Sequence, residues 1–194
     1  MRIADEGHAL KRRLLVKRLI TLNIPKTSRV LGVVVMDATI SGKLFERLKE
    51  EATKKGVPVE ELMIEALSKY LNISLDPDEK AELHLKLSEK FLREAYDLLA
   101  KGDYVQASEK SWGAAAQVVK ALAAKEGKDL KSHGDLWRYV NDLVKKLGDQ
   151  ELRHLWYSAN CLHQNFYESW MPPESVEAAL DDVKEFVEKM RKLL

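Results

Sequence analysis

The sequence has a single cysteine and no long hydrophobic run, and each absence excludes a class of protein. Cys161 is the one cysteine among 194 residues, which excludes an internal disulfide and any metal site built from several cysteines. No apolar run approaches the roughly 20 residues of a membrane-spanning helix, and the N-terminus lacks the apolar centre and cleavage site of a secretory signal. We therefore expect a cytoplasmic protein with no membrane segment.

The standard catalytic and metal-binding motifs are also missing. The chain has no His-Glu-x-x-His, Cys-x-x-Cys or acidic calcium-loop pattern. Gly42-Lys43 and Gly127-Lys128 lack the flanking residues of a phosphate-binding loop, and no Gly-x-Ser-x-Gly elbow occurs. We therefore predict no metal and no cofactor, and the sequence argues against an enzyme built on a standard motif.

Positive charge is concentrated at the start of the chain. Residues 1–35 hold eight Lys and Arg against two acidic residues, although the whole chain has a net charge of only +1. We interpret residues 1–35 as a basic N-terminal extension, a kind of segment that binds nucleic acid through its phosphates. An alternative interpretation stays open, in which Met36 is the true first residue, because the codons of Gly32-Val33-Val34-Val35 are rich in G and T and could conceal a ribosome-binding sequence.

Helical periodicity dominates the rest of the chain. Asp76 before Pro77, the Ser132-x-x-Asp135 spacing and Gly148-Asp149 are start and stop signals of helices. The loops between them are short, so we predict an all-α fold: an antiparallel helical bundle in residues 76–194, preceded by a small helical hairpin in residues 36–75. The predicted helices are Ser41–Lys55, Val59–Leu71 with Leu62, Ala66, Leu67 and Tyr70 inward, Asp76–Lys101, Asp103–Glu126, Leu136–Leu147, Gln150–Trp170 and Val176–Leu194.

The segment Val30–Leu71 resembles the strand-helix-helix pattern of ribbon-helix-helix DNA-binding proteins. Such proteins read the major groove with polar side chains on a paired ribbon. The predicted strand Val30–Met36 has no polar side chain for this task. A docking or dimerising hairpin is therefore the favoured interpretation, and a DNA-binding repressor acting through residues 30–71 is an alternative.

The helix predicted over residues 150–170 has two distinct faces. One is an ordinary core face, and the second combines polar and aromatic side chains that could stack on and hydrogen-bond a base or a peptide. His133 and Trp137, one turn apart on the preceding helix, are expected to face the same cleft. Another interpretation is that Asn160 and His163 are buried partners that fix the helix register. We predict surface positions for His84 and His154. The core face is Leu152, Leu155, Ala159, Leu162 and Phe166; the second face is Trp156, Asn160, His163, Tyr167 and Trp170.

Three segments together resemble the archaeal PaREP family: Gly102–Ala116, the turn at Ser132–Trp137, and Asn160–Glu168 followed by Trp170-Met171-Pro172. The resemblance covers roughly residues 76–192. It implies an archaeal, thermophilic source, a homodimer and a compact bundle similar to the HEPN superfamily. HEPN relatives include ribonucleases, and others are partner domains beside nucleotidyltransferases.

The ribonuclease motif of HEPN relatives is an Arg followed by four to six residues and a His. His163 occupies the place of that His, but positions 156 to 158 hold no Arg, and Arg153 is nine intervening residues away. A cleavage site would then lack the cation that stabilises developing charge on a phosphate. We therefore predict a non-catalytic HEPN-like module that binds a nucleotidyltransferase-type or other partner protein, a nucleotide or RNA. The alternative is a metal-independent endoribonuclease, with His163 as general acid or base and Tyr167 or Asn160 positioning the phosphate.

Overall fold

Seven helices and no strand make up residues 39–194, which are the part of the chain that this computed structural model describes. The predicted all-α class is confirmed. The basic extension at residues 1–35 and the strand predicted over Val30–Met36 lie outside the described residues. The domain boundaries after residues 35 and 75 and the HEPN-like arrangement stay predictions. The helices are α1 (Gly42–Lys55), α2 (Val59–Leu71), α3 (Pro77–Ala100), α4 (Tyr104–Lys125), α5 (His133–Leu147), α6 (Gln150–Glu168) and α7 (Pro173–Arg191).

Side-chain caps set the starts of four of the five bundle helices, α3 to α6. Asp76 accepts the backbone N–H of Glu79, and the Glu79 carboxylate accepts the N–H of Asp76, which together form a capping box at the start of α3. Ser132 and Asp135 form the same arrangement at the start of α5. Because Ser132 is the cap, α5 begins at His133, three residues before the predicted start. Capping decides this boundary, since the apolar periodicity begins only at Leu136.

Helix α4 is the centre of the bundle and packs against α3, α5, α6 and α7. From Trp112 to Ala124 every residue except Gly113 is buried. Small side chains let α3 approach closely: a Cβ atom at Gly113 would lie 3.1 Å from the Phe91 ring, and the Ser88 hydroxyl donates to the Ala114 carbonyl at 2.7 Å. The Phe91 ring of α3 therefore lies against Gly113, the residue that follows Trp112 on α4.

The hairpin of α1 and α2 contacts the bundle through charged side chains. The Lys90 ammonium lies 2.6 Å from the Glu60 carboxylate, and the Lys120 ammonium lies 2.8 Å from both carboxylate oxygens of Glu61. The turn between the two helices uses Gly56 in the left-handed conformation, with φ of 64°. The hairpin therefore sits on the bundle with residues 56–61 facing α3 and α4.

These ion pairs overturn part of the predicted orientation of α2. Leu62 is buried as predicted, but Ala66, Leu67 and Tyr70 are exposed. Glu60 and Glu61 face the lysines of the bundle, and this rotation of α2 directs the turn that carries Leu67 and Tyr70 toward solvent. Among the helices within residues 39–194, none is long and apolar enough to cross a bilayer.

Candidate functional site

Three aromatic rings from three different helices meet beside the hairpin. Trp112 lies in the middle of α4, His133 is the first residue of α5, and His163 lies near the end of α6. The ring centroids of His163 and Trp112 are 3.9 Å apart with planes inclined by 17°, and His133 lies 5.0 Å from each of the other two. The Tyr167 ring meets His163 edge-on at 5.2 Å. Four aromatic side chains thus form one continuous cluster.

The cluster forms one wall of a cleft of about 310 Å³, which we call the aromatic cleft. The opposite wall is the hairpin, and the cleft opens to solvent beside Tyr167, whose residue surface is 70% exposed. A Cβ atom at Gly56 would lie 3.9 Å from the His133 ring, so the hairpin turn approaches the cluster closely. The bundle wall comprises Phe91, Glu109, Lys110, Trp112, Gly113, His133, His163, Phe166 and Tyr167; the hairpin wall comprises Lys49, Ala52, Thr53 and residues 56–60.

A carboxylate fixes the orientation of one imidazole in the cleft. Nδ1 of His163 lies 3.3 Å from a carboxylate oxygen of Glu109 on α4. A carboxylate can only accept a hydrogen bond, so Nδ1 is the donor, and Nε2 of His163 is left for a ligand. The next residue, Lys110, is held 2.6 Å from Glu94 and lies over the Phe91 ring at 4.8 Å. With Lys49 and Glu60 of the hairpin wall, the cleft is therefore lined by two lysines, two carboxylates and two imidazoles.

The surroundings shift the pKa of two groups in the cluster. Burial lowers the pKa of His133 below its ordinary value, and the neighbouring His163 lowers it further, against the opposing effect of Glu109. Burial raises the pKa of Tyr167, and the Glu109 carboxylate adds to this effect. His133 is consequently favoured as a neutral imidazole, and Tyr167 as a phenol that retains its proton.

The structure brings together three of the seven site residues predicted from the sequence: His133, His163 and Tyr167 all line the aromatic cleft. Trp170 does not line it and is not on the helix, because α6 ends at Glu168 and Ser169 adopts a left-handed conformation. Its side chain is largely exposed. The predicted helix Gln150–Trp170 is therefore two residues too long.

The other three predicted residues lie outside the cleft. Trp156 is only 1% exposed, with its ring against Trp137 of α5 and Phe186 of α7. Asn160 donates from Nδ2 to the Trp156 carbonyl at 2.7 Å, so its side chain is engaged by its own helix. Trp156 belongs to the core, and the partly buried Trp137 packs against it. The alternative of a buried Asn160–His163 partnership is not the arrangement observed, since His163 pairs with Glu109.

Helical spacing placed His163 and Tyr167 on one face of α6, but it did not show which elements cover each turn of that face. Trp156 and His163 are seven residues apart, which is about 10.5 Å along a helix. α5 and α7 cover the turn at Trp156, whereas the turn at His163 faces the cleft. Sequence reasoning also missed Glu109 and Trp112. Their spacing of three residues places them on one face of α4, but nothing local indicates that this face meets His163.

His84 lies outside the cleft and is more buried than the sequence predicted. His84 is partly buried, which corrects the predicted surface position, whereas His154 is exposed as predicted. The Gln117 amide donates to Glu61 at 3.0 Å, so its carbonyl oxygen accepts from Nδ1 of His84 at 2.7 Å. Burial lowers the pKa of His84 despite this hydrogen bond. Within residues 39–194, no three His, Cys, Asp or Glu side chains form a group that could hold a metal ion.

The bundle wall of the cleft lies within the part of the chain that matches a known protein family. The model of the archaeal PaREP1/PaREP8 family matches residues 83–187, which run from α3 into α7. The chain is also similar to a protein from Sulfolobus solfataricus with a crystal structure: the two are 27% identical, with a TM-score of 0.49 over 55% of this chain and 94% of that one. No curated protein matches the chain. The hairpin wall, residues 49–60, lies before the family match.

Proposed function

The chain belongs to the archaeal PaREP1/PaREP8 family, and we propose that it is a binding module whose aromatic cleft takes a nucleobase with its attached phosphate, from RNA or from a free nucleotide. The observation that carries this proposal is the cluster of Trp112, His133 and His163 beside the exposed ring of Tyr167. A cleft with aromatic walls and a few polar groups is the usual form of a small-ligand site.

The exposed face of Tyr167 is suited to stacking on a base. Every base has a flat π surface, and stacking on an aromatic side chain contributes about 1–3 kcal/mol per base. The ring is held edge-on by His163 and Phe166, at 5.2 and 5.0 Å between centroids, so it is ordered before a ligand arrives. Little conformational entropy then opposes stacking, which favours binding.

The charged groups of the cleft suit the polar parts of a nucleotide. The Glu109 carboxylate can accept hydrogen bonds from base N–H groups, and the ammonium groups of Lys49 and Lys110 can contact phosphate oxygens. The cleft thus combines a stacking face with two lysines and two carboxylates, of which Glu60 is already paired with Lys90. A protein partner would need no such combination. The balance of groups therefore favours a nucleotide ligand over a peptide.

Fluorescence anisotropy with a labelled single-stranded RNA, and its competition by mononucleotides, tests the proposal. We expect saturable binding that Tyr167→Ala weakens by about 5- to 150-fold, the equivalent of one stacked base. Lys49→Met should reduce the dependence of affinity on salt concentration by about one phosphate contact. Competition by mononucleotides at similar concentration identifies a free nucleotide as the ligand, and its absence identifies RNA.

The matched control is Tyr157→Ala, which removes an exposed tyrosine side chain of the same helix from outside the cleft. It should leave the affinity unchanged. Absence of saturable binding by RNA and by all mononucleotides, with the chain folded, would contradict the proposal and direct attention to protein partners, including the nucleotidyltransferase type that the HEPN resemblance implies.

We also propose that the protein forms a homodimer, as the family resemblance implies. The hairpin presents an apolar surface to solvent, in which Leu67, Tyr70, Leu71 and Ile73 are each more than half exposed. An exposed apolar cluster of this kind is typical of an interaction surface. Sedimentation equilibrium should give a dimer that Leu67→Lys dissociates, and a monomer at all concentrations would contradict this proposal.

A further inference from the structure

Glu109 is a carboxylate of the aromatic cleft that no lysine or arginine within residues 39–194 neutralises. It lines the cleft from α4, and its side chain is 33% exposed, so a ligand can reach it. The group beside it is the His163 imidazole, at 3.3 Å from one carboxylate oxygen. The adjacent Lys110 pairs instead with Glu94 at 2.6 Å. A carboxylate has about four lone-pair sites, so most of the accepting capacity of Glu109 is left for a ligand.

Glu109 also lies beside the ring that is proposed to stack on a base. His163 is the common neighbour, because it contacts Glu109 through Nδ1 and meets the Tyr167 ring edge-on at 5.2 Å. Burial raises the pKa of Tyr167, and the charge of Glu109 raises it further, so the carboxylate is close enough to the phenol for their charges to interact. The edge of a base stacked on Tyr167 is therefore within reach of Glu109.

The four RNA bases differ in the N–H groups that they present side by side. Guanine has its N1–H and a 2-amino N–H next to each other on the Watson–Crick edge, in the manner of a guanidinium fork. A carboxylate accepts such a fork through two parallel hydrogen bonds, which are stronger than those between neutral groups. Adenine, cytosine and uracil each place a donor next to an acceptor on this edge, and that acceptor would face a carboxylate oxygen. A carboxylate beside a stacking ring thus favours guanine.

We propose that the aromatic cleft is specific for guanine and that Glu109 is the residue that reads the base, an inference that rests on the proposed binding of a nucleotide. The base stacks on Tyr167, and its N1–H and 2-amino group donate to the two oxygens of Glu109. The hydrogen bond from His163 orients the carboxylate before the ligand arrives. The other carboxylate of the cleft, Glu60, is engaged by Lys90 at 2.6 Å and takes no part.

The test is fluorescence anisotropy with short labelled uridine oligonucleotides that differ only in one central base, together with competition by the corresponding mononucleotides. The central base is guanine, adenine, cytosine, uracil or hypoxanthine. We expect guanine to bind about 10- to 100-fold more tightly than adenine, cytosine or uracil, because hydrogen bonds to a charged group are lost with those bases. Hypoxanthine lacks only the 2-amino group of guanine, so it should bind about tenfold more weakly than guanine.

Glu109→Gln tests the assigned reader directly. The amide keeps the size of the side chain but replaces one acceptor oxygen by a donor, so the preference for guanine over adenine should fall below about threefold. A merely structural role would weaken the binding of both bases alike and leave their ratio unchanged. Glu168→Gln makes the same substitution at an exposed position next to Tyr167 but outside the cleft, and it should leave both affinities unchanged.

The outcomes separate this inference from the proposed binding. Saturable binding with equal affinity for all bases, or with preference for a base other than guanine, would overturn the inference and leave the binding proposal standing. A guanine preference that persists in Glu109→Gln would overturn the role of Glu109. Failure of every oligonucleotide and mononucleotide to bind, with the chain folded, would overturn both the inference and the proposed function.

Discussion

The ammonium of Lys120 on α4 lies 2.8 Å from both carboxylate oxygens of Glu61 on α2, and its side chain is only 10% exposed. This pair joins the hairpin to the bundle, and the Gln117 amide donates to the same carboxylate. A buried ammonium needs its partner, because an unpaired charge in a poorly solvated position is costly. The ion pair between Lys120 and Glu61 thus holds the hairpin wall of the aromatic cleft against α4. Within residues 39–194, Glu61 is the only ion-pair partner of Lys120.

We predict that Glu61→Ala lowers the free energy of unfolding by about 2 kcal/mol. This is below the roughly 3–5 kcal/mol of a fully buried pair, because Glu61 is partly exposed. Urea denaturation measures the change. In the Lys120→Met background the same substitution should cost much less, since no buried charge is then left unpaired. Glu65→Ala, which breaks the exposed Lys55 pair, is the matched control and should cost less than about 1 kcal/mol. Equal costs for Glu61→Ala and Glu65→Ala would contradict the assigned role.

The buried imidazole of His84 predicts a loss of stability in mild acid. Its pKa is lowered in the folded protein, so below the ordinary value of 6.5 the unfolded chain binds a proton that the folded chain does not. Stability should therefore fall as the pH decreases below about 6.5, and His133 contributes in the same direction. Denaturation curves at a series of pH values measure this slope.

His84→Asn should flatten the slope, because the asparagine amide can still donate to Gln117 but does not titrate. His154→Asn replaces an exposed histidine and should leave the slope as in the unmodified protein. A stability that stays constant or rises as the pH falls through this range would show that His84 is not held in its neutral form.

We predict that the buried Asn165 contributes substantially to the stability of the fold, although nothing in the sequence singles it out. It is 1% exposed; its amide donates to the Ser108 hydroxyl at 2.9 Å, and its oxygen accepts the backbone N–H of Met171 at 2.7 Å. Asn165→Ala should lower the free energy of unfolding by about 1–3 kcal/mol, because the Met171 N–H loses its acceptor and the buried Ser108 hydroxyl loses the donor to its oxygen. Gln164→Ala, its exposed neighbour, should change it by less than about 0.5 kcal/mol. Thermal or urea unfolding distinguishes the two, and similar small effects would argue against the role of Asn165.

Local signals in the sequence predicted the helices well, because capping and periodicity act over a few residues. The α2 bounds Val59–Leu71 match the prediction, and the Asp76 cap and the Ser132 capping box are present as expected. The rotation of α2 was wrong, since it depends on Lys90 and Lys120, which lie 30 and 59 residues from their partners in the chain. Long-range charge pairing is not visible in a local hydrophobic pattern.

The sequence predicted those members of the candidate site whose spacing along one helix or turn is visible locally, and it missed the members contributed by α4. His163 and Tyr167 were identified from their spacing on α6, and His133 from its position near Trp137. Trp112 and Glu109 come from a helix some 50 residues earlier, and their contact with His163 depends on the packing of α4 against α6. Trp156 shares the face of His163, but tertiary packing covers it.

The most direct test of the aromatic cleft as a nucleotide site is a titration of the protein, labelled in its histidine rings, with a single-stranded RNA or a mononucleotide, followed by NMR. We expect saturable ring-current shifts of His133 and His163 with one dissociation constant, while the exposed His154 of α6 stays unchanged. Binding detected by anisotropy with no change at His133 and His163 would place the ligand elsewhere and refute a nucleotide site in the cleft.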